Sequence, residues 1–222
     1  MTTQAHQAYA LTSSLTVPDV NTTAVQLAEG SSLDLRGFAI RGPATCSEAT
    51  PASCTGTGAG VGAFVGAYAS VRNGAIRGMG SHGISGAGGL EAERVKVESN
   101  GGDGIRFATT GISGRGVIRD CRIFQNGGIG IHFNFGNPSG SLVEGNVIHG
   151  NTSDGLRGNG ALIRGNRFSS NGGFGINVNF GGEGTGYGDN VFLNNNGGNA
   201  NPQVSGGVQI GTNTCGNDTT CP

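Results

Sequence analysis

One six-residue run, Asn100-Gly101-Gly102-Asp103-Gly104-Ile105, constrains this chain more than anything else in it, because the sequence keeps rewriting it. It returns as Asn126-Gly127-Gly128-Ile129-Gly130-Ile131, as Asn151-Thr152-Ser153-Asp154-Gly155-Leu156 and as Asn171-Gly172-Gly173-Phe174-Gly175-Ile176. A weaker copy, Met79-Gly80-Ser81-His82-Gly83-Ile84, precedes them. Self-similarity at a period of roughly 20–45 residues marks a solenoid, in which each repeat buries its apolar face only against its neighbours.

Three apolar columns fix the register. The first holds Val71, Ala92, Ile118, Val143, Ile163 and Tyr187, and the second holds Ile76, Val97, Ile123, Ile148, Phe168 and Phe192, each five residues later. The third, Ile84, Ile105, Ile131, Leu156 and Ile176, follows the second by eight. Length varies only between the third column and the next first column, by 8, 13, 12, 7 and 11 residues. The same spacing places Leu27, Leu35, Ile40 and Val61 in coil one. The segments between columns are short, β-branched and punctuated by Gly and Asn, with no 3.6-residue apolar period, so each turn reads as three short strands. The chain is therefore expected to be all-β: a right-handed parallel β-helix of about 7–8 coils, the columns stacked along the axis at about 4.8 Å. It reads as a single domain over 1–222, with an N-terminal cap (1–23), coils (24–199) and a C-terminal strand and tail (200–222).

Composition matters here because 46 glycines and 12% charged residues would suggest disorder if the glycines were aperiodic. They are not: Gly83, Gly104, Gly130, Gly155 and Gly175 each precede the third column. A net charge of −1 gives no basic footprint for nucleic acid, and no apolar run is long enough to span a membrane. Met1 is followed by no basic-then-apolar leader, so the chain is read as an exported protein whose signal is missing or was removed. Cys46 and Cys54 lie in a loop inserted after coil one, and Cys215 and Cys221 lie in the tail. Both pairs are expected as disulfides, which implies an oxidising, secreted or periplasmic compartment, and Cys121 is left free. Zinc would need four N or S ligands, and no cluster flanks either pair, so no metal and no cofactor are expected.

Two polar columns are read as structural. Asn100, Asn126, Asn151, Asn171 and Asn195 should form a ladder at a tight turn, and Arg72, Glu93, Arg119, Glu144 and Arg164 alternate in sign as a solvated ion-pair ladder. The outward row beside the third column is different. It reads Ser85, Arg106, His132, Arg157 and Asn177, with Asn134, Asn159 and Asn179 two residues further along their strands. Amides suit sugar hydroxyls, guanidinium groups suit carboxylates or sulfates, and an imidazole between two cations is read as an acceptor or base. Variable loops leave from one end of this row and the Cys46–Cys54 loop enters near the other, so the strand face is expected to be a trough. Asp103 and Asp154 precede it by one shared offset, together with His82, Ile129 and Phe174. They are either turn carboxylates bonded to backbone N–H groups or trough acids.

Leu15-Thr16-Val17-Pro18-Asp19, Asn21-Thr22-Thr23-Ala24-Val25, residues 71–78, the Asn-Gly-Gly-x-Gly-Ile repeats and residues 206–215 are similar to a family of exported bacterial proteins. These are the right-handed parallel β-helix repeat proteins of the pectate-lyase-like superfamily, and the resemblance runs from about residue 11 to the C-terminus. It implies the fold, export and a polysaccharide partner. The superfamily's catalytic signatures are not met: Ser81-His82-Gly83 is a partial match to one polygalacturonase-like motif, and Asp103 and Asp154 are too sparse for a pectate-lyase calcium site. Two functions remain. One is a non-catalytic protein that binds a glycan through Arg106, His132, Arg157, Asn134, Asn159, Asn177 and Asn179. The other is a polysaccharide lyase or glycoside hydrolase drawing on His132, Arg106, Arg157, Asp103 and Asp154. The absence of a recognisable close carboxylate pair favours binding.

Overall fold

A computed structural model describes residues 1–108, 115–134, 140–178, 184–216 and 221. Among them every regular element is a strand, and all the ladders are parallel except one hairpin, Thr45–Cys46 with Cys54–Thr55. An eight-stranded front sheet supplies one strand per coil, so the molecule is a parallel solenoid of eight coils. A 16-stranded sheet bends around the other two sides, here called back and side. Ser70–Arg77 and Glu91–Glu98 run through that bend unbroken, turning it at Asn73 and Arg94, whose φ values are 60° and 51°.

The first apolar column lines the back sheet, the second the side sheet and the third the front sheet. Val71, Ala92, Ile118, Val143, Ile163 and Tyr187 pair in file. So do Ile76, Val97, Ile123, Ile148, Phe168 and Phe192, whose last two rings stack at 5.1 Å. Coil one departs from the expected register by two residues. Val25 and Leu33 hold the positions assigned to Leu27 and Leu35, and Ala63 holds that assigned to Val61, while Ile40 is as expected. A shift of two keeps the same face inward, so Leu27, Leu35 and Val61 are buried as well. The glycine column is explained by space: a Cβ on Gly104 would sit 2.7 Å from the Gly130 carbonyl oxygen and 2.6 Å from Ile123.

Neighbouring segments complete the stack. Ala8–Ala10 and Leu15–Thr16 lie in register on Ser32–Asp34 and on Ile40–Arg41. Val204–Ser205, Val208–Gln209 and Thr214–Cys215 form the last coil. Disulfides join Cys46 to Cys54 and Cys215 to Cys221. Cys121 is free and buried, and burial pushes its thiol up to about 12.

The Asn ladder lies inside the corner that leads from side to front sheet. Asn100 Nδ2 donates to Asn126 Oδ1, Asn126 to Asn151 and Asn151 to Asn171, each at 2.9 Å, and all four residues are buried. Gln203 Oε1 accepts from Asn195 and closes the series. A second ladder, which the sequence reading missed, fills the opposite corner through Asn146, Asn166, Asn190 and Asn213. Its members stand two residues before the second column, a file that Cys121 and Val95 occupy in earlier coils. Buried amides cost heavily unless bonded, and here each coil supplies the acceptor for the coil before it, up to Asn213, whose buried Nδ2 has no partner among the described residues. On the outer back face the alternating charges pair as expected: Arg119 with Glu93 at 3.5 Å and Arg164 with Glu144 at 2.7 Å.

Candidate functional site

Strand pairing places Gln26, Phe64, Ser85, Arg106, His132, Arg157, Asn177 and Ser205 in one outward row on the front sheet. Arg106, His132 and Arg157 are thus on successive coils. The corner entering this sheet brings in the second component, the column His82, Asp103, Ile129, Asp154 and Phe174. Both acids are buried, at 7% and 2% exposure.

Each acid does two things at once. Asp103 Oδ1 accepts the Ile129 N–H at 2.8 Å, and Asp154 Oδ1 accepts the Phe174 N–H at 2.8 Å, so both are turn carboxylates. Their second oxygens reach the outward row. Asp103 Oδ2 is 2.9 Å from His132 Nδ1, whereas Asp154 Oδ2 accepts Arg157 Nε at 2.7 Å and Asn177 Nδ2 at 3.0 Å. Both acids are therefore covered turn carboxylates, not acids turned out at the corner, and each meets the outward row only through its second oxygen.

The Asp103 cluster contains imidazoles that the Asp154 cluster lacks. Burial pushes the Asp103 carboxyl up, but the His132 hydrogen bond, the Ile129 N–H and two nearby imidazoles hold it below the usual carboxylate range. An ionised Asp103 can only accept, so His132 donates its Nδ1–H to it, and in the neutral imidazole Nε2 is then the acceptor. The nearest charged group to His132 is thus an anion, not the two arginines that its row position suggested. His82 is the member that sequence reasoning did not place in the site. The Asp103 N–H lies 2.9 Å from its Nδ1, and Arg106 Nη1 lies 2.9 Å from its Nε2. Both neighbours are donors and a neutral imidazole has one lone pair, so only one of the two contacts is a hydrogen bond, and protonating His82 would lose that one as well. Burial first, then Arg106 and His132, holds its pKa below the ordinary imidazole value against the pull of Asp103. The signal for His82 was present in its offset, which is that of Asp103 one coil earlier.

Arg106 leans on His82 and makes no ion pair with a carboxylate among the described residues, and its Nε is buried without a partner. Arg157 is instead neutralised by Asp154. The remaining candidates are more scattered. Asn177 is held by Asp154, Asn159 is half-buried in the turn after Leu156–Arg157, and Asn134 ends the strand Ile131–Asn134. Asn179 lies outside the described residues, as do 109–114, 135–139 and 179–183, where the expected loops leave the row. The Cys46–Cys54 hairpin lies along the corner entering the front sheet. Gly58 N donates to Gly80 O, Ala52 N donates to Gly150 O, and Pro51 sits against Gly172. Among the described residues no three His, Cys, Asp or Glu side chains are grouped to hold a metal ion.

Fold and site together define a parallel β-solenoid with a polar, His-containing row on one sheet. The chain belongs to the right-handed beta helix family, whose model matches residues 4–157 and 59–220. Among solved structures it is similar to the mannuronan C-5 epimerase AlgE4 A-module of Azotobacter vinelandii, with TM-score 0.51 and 14% identity over 91% of this chain and 70% of that one. It is also similar to the periplasmic alginate epimerase AlgG, with TM-score 0.52 and 15% identity over 86% of this chain and 47% of that one. At these identities the likeness is one of fold. No curated protein sequence matches the chain.

Proposed function

We propose that this is an exported protein that binds an acidic polysaccharide along the front sheet, with Arg106 as the carboxylate-binding group. The observation that carries this reading is the contrast between two arginines in one row. Arg157 already has its carboxylate, while among the described residues Arg106 meets His82 but no acid, and its buried Nε has no partner. A uronate carboxylate can take two parallel N–H bonds from such a group. Two disulfides and fold neighbours that include a periplasmic alginate epimerase support export and a uronan. Alginate and polygalacturonate oligosaccharides, titrated calorimetrically, test this: Arg106→Ala should abolish binding with the melting temperature nearly unchanged. Retained binding would overturn it.

A second reading rests on the Asp103–His132 bond. An imidazole fixed at Nδ1 by a carboxylate keeps Nε2 free to take a proton, here the proton on the carbon next to the uronate carboxylate that Arg106 neutralises. The bond from the next carbon to the glycosidic oxygen would then break as a C=C bond forms, the departing oxygen taking a proton from the imidazolium or from water, which would make the protein a lyase. A hydrolase fits less well, because Asp103 and Asp154 lie two coils apart and both are committed to backbone N–H groups. His132→Ala separates the readings, since it stops formation of an unsaturated uronate end in an enzyme and only weakens affinity in a binder.

A further inference from the structure

The side sheet carries a second charged surface that the front-sheet reading does not use. Pairing sets two files on its outer face. One contains Lys96, Arg122, Val147 and Arg167 on coils three to six, and the other begins with Arg41 and Arg77 on coils one and two. The second file continues through Glu98, Phe124 and His149. Five cations therefore share this strip with one carboxylate, although the whole chain is slightly acidic at −1. Glu98 is taken by Lys96 at 2.9 Å and Arg77 at 3.5 Å. Arg41, Arg122 and Arg167 are exposed and make no ion pair with a carboxylate among the described residues. The back face is the internal control, since Arg119 and Arg164 there each meet a glutamate.

We propose that this side face is a binding strip for a linear, sulfated or carboxylated polysaccharide lying along the solenoid axis, distinct from the front-sheet row. At about 4.8 Å per coil the cations extend over about 24 Å. A compact anion would meet one or two of them, whereas an extended polyanion meets them in succession. Phe124 lies under Lys96 at 5.0 Å and near Arg122 at 5.9 Å, so its ring anchors the cations instead of offering a free platform to a nucleobase. A lipid surface would need apolar anchors beside the charges, and Val147, at 38% exposure, is the one large hydrophobic of this face counted among the exposed ones.

Affinity electrophoresis in gels cast with dextran sulfate or with neutral dextran tests the strip. The wild-type protein should be retarded by dextran sulfate alone, less so as salt is raised. The triple variant Lys96→Gln, Arg122→Gln and Arg167→Gln should bind about tenfold more weakly, the order expected for three exposed charge contacts, with the same melting temperature. The single variants Arg122→Gln and Arg167→Gln give smaller losses in the same direction. The back-face variant Arg164→Gln should be retarded like wild type, and each side-face variant should keep its calorimetric affinity for alginate oligosaccharides, which keeps this site's failure distinguishable from failure of the front-sheet reading. Retardation that survives in the triple variant, or that is lost in Arg164→Gln, overturns the proposal. So does equal or tighter binding to phosphatidylglycerol vesicles or to a single-stranded oligonucleotide through these same cations.

Discussion

Asp103 and Asp154 occupy the same position of the repeat, two coils apart, and spend one oxygen in the same way on the next coil's N–H. They differ in what the other oxygen meets. Asp154 finds a guanidinium from its own coil and an amide from the next, so its charge is cancelled and its neighbours are saturated. Asp103 finds an imidazole, with a second imidazole 3.7 Å away and an arginine beyond that. One backbone solution therefore yields a closed ion pair in one coil and a hydrogen-bonded carboxylate–imidazole set in another. The difference is written in the row residues, Arg157 and Asn177 against Arg106 and His132, and not in the acids.

The largest expected effect tests the closed half. Asp154→Ala strands the Phe174 N–H and removes the counter-ion of a partly buried Arg157, so chemical denaturation should report a loss of about 2–4 kcal/mol. Glycan affinity of the folded fraction should change little. Asp103→Ala should cost less stability, about 1–2 kcal/mol, because neutral imidazoles survive the loss better than a guanidinium does. It should impair turnover or binding more than Asp154→Ala does. A reversal of the two rankings would break the comparison.

Acid should separate the halves further. The folded state holds His82 below its ordinary 6.5, so as pH falls through that value the unfolded chain takes up a proton that the folded one refuses. Stability is complete above that pH and declines below it. Asp103, lowered from 3.8, adds a further loss only as pH falls beneath that value. Melting curves between pH 8 and 3 should show the first decline in wild type and its absence in His82→Gln. The smallest effect is expected from His132→Asn, which gives Asp103 the kind of amide partner that Asn177 gives Asp154. Its melting temperature should stay within the reach of about 0.5 kcal/mol while lyase turnover, if present, disappears. A large loss of stability would mean that the imidazole is a structural prop.

Much of this was legible beforehand, for reasons that show where legibility stopped. Columns separated by five and eight residues fix which residues stack, so the row of Arg106, His132 and Arg157 followed from arithmetic. Coil one slipped because Val25, Leu27, Leu33 and Leu35 are all apolar and alternate inward, and period two cannot choose between them. The second amide ladder was hidden because Val95 and Cys121 begin its file. What the second oxygen of Asp103 touches depends on side-chain torsions, which no spacing encodes. His82 shares its repeat position with Asp103, but that offset does not say which side chains meet.

The strap formed by the Cys46–Cys54 hairpin bears on how such a molecule can change its copy number. Each ladder asparagine asks only for an identical neighbour, so a duplicated coil would be accepted anywhere by the stack itself. The strap is less permissive, because it is tied to Gly80 at one end and reaches Gly150 and Gly172 at the other. A coil inserted beneath it would carry Gly150 about 4.8 Å out of register with Ala52. A coil inserted after Gly172 would leave it untouched. The strap thus acts as a ruler, excluding repeat duplication from the coils it spans and holding those of the His-containing cluster at a set count.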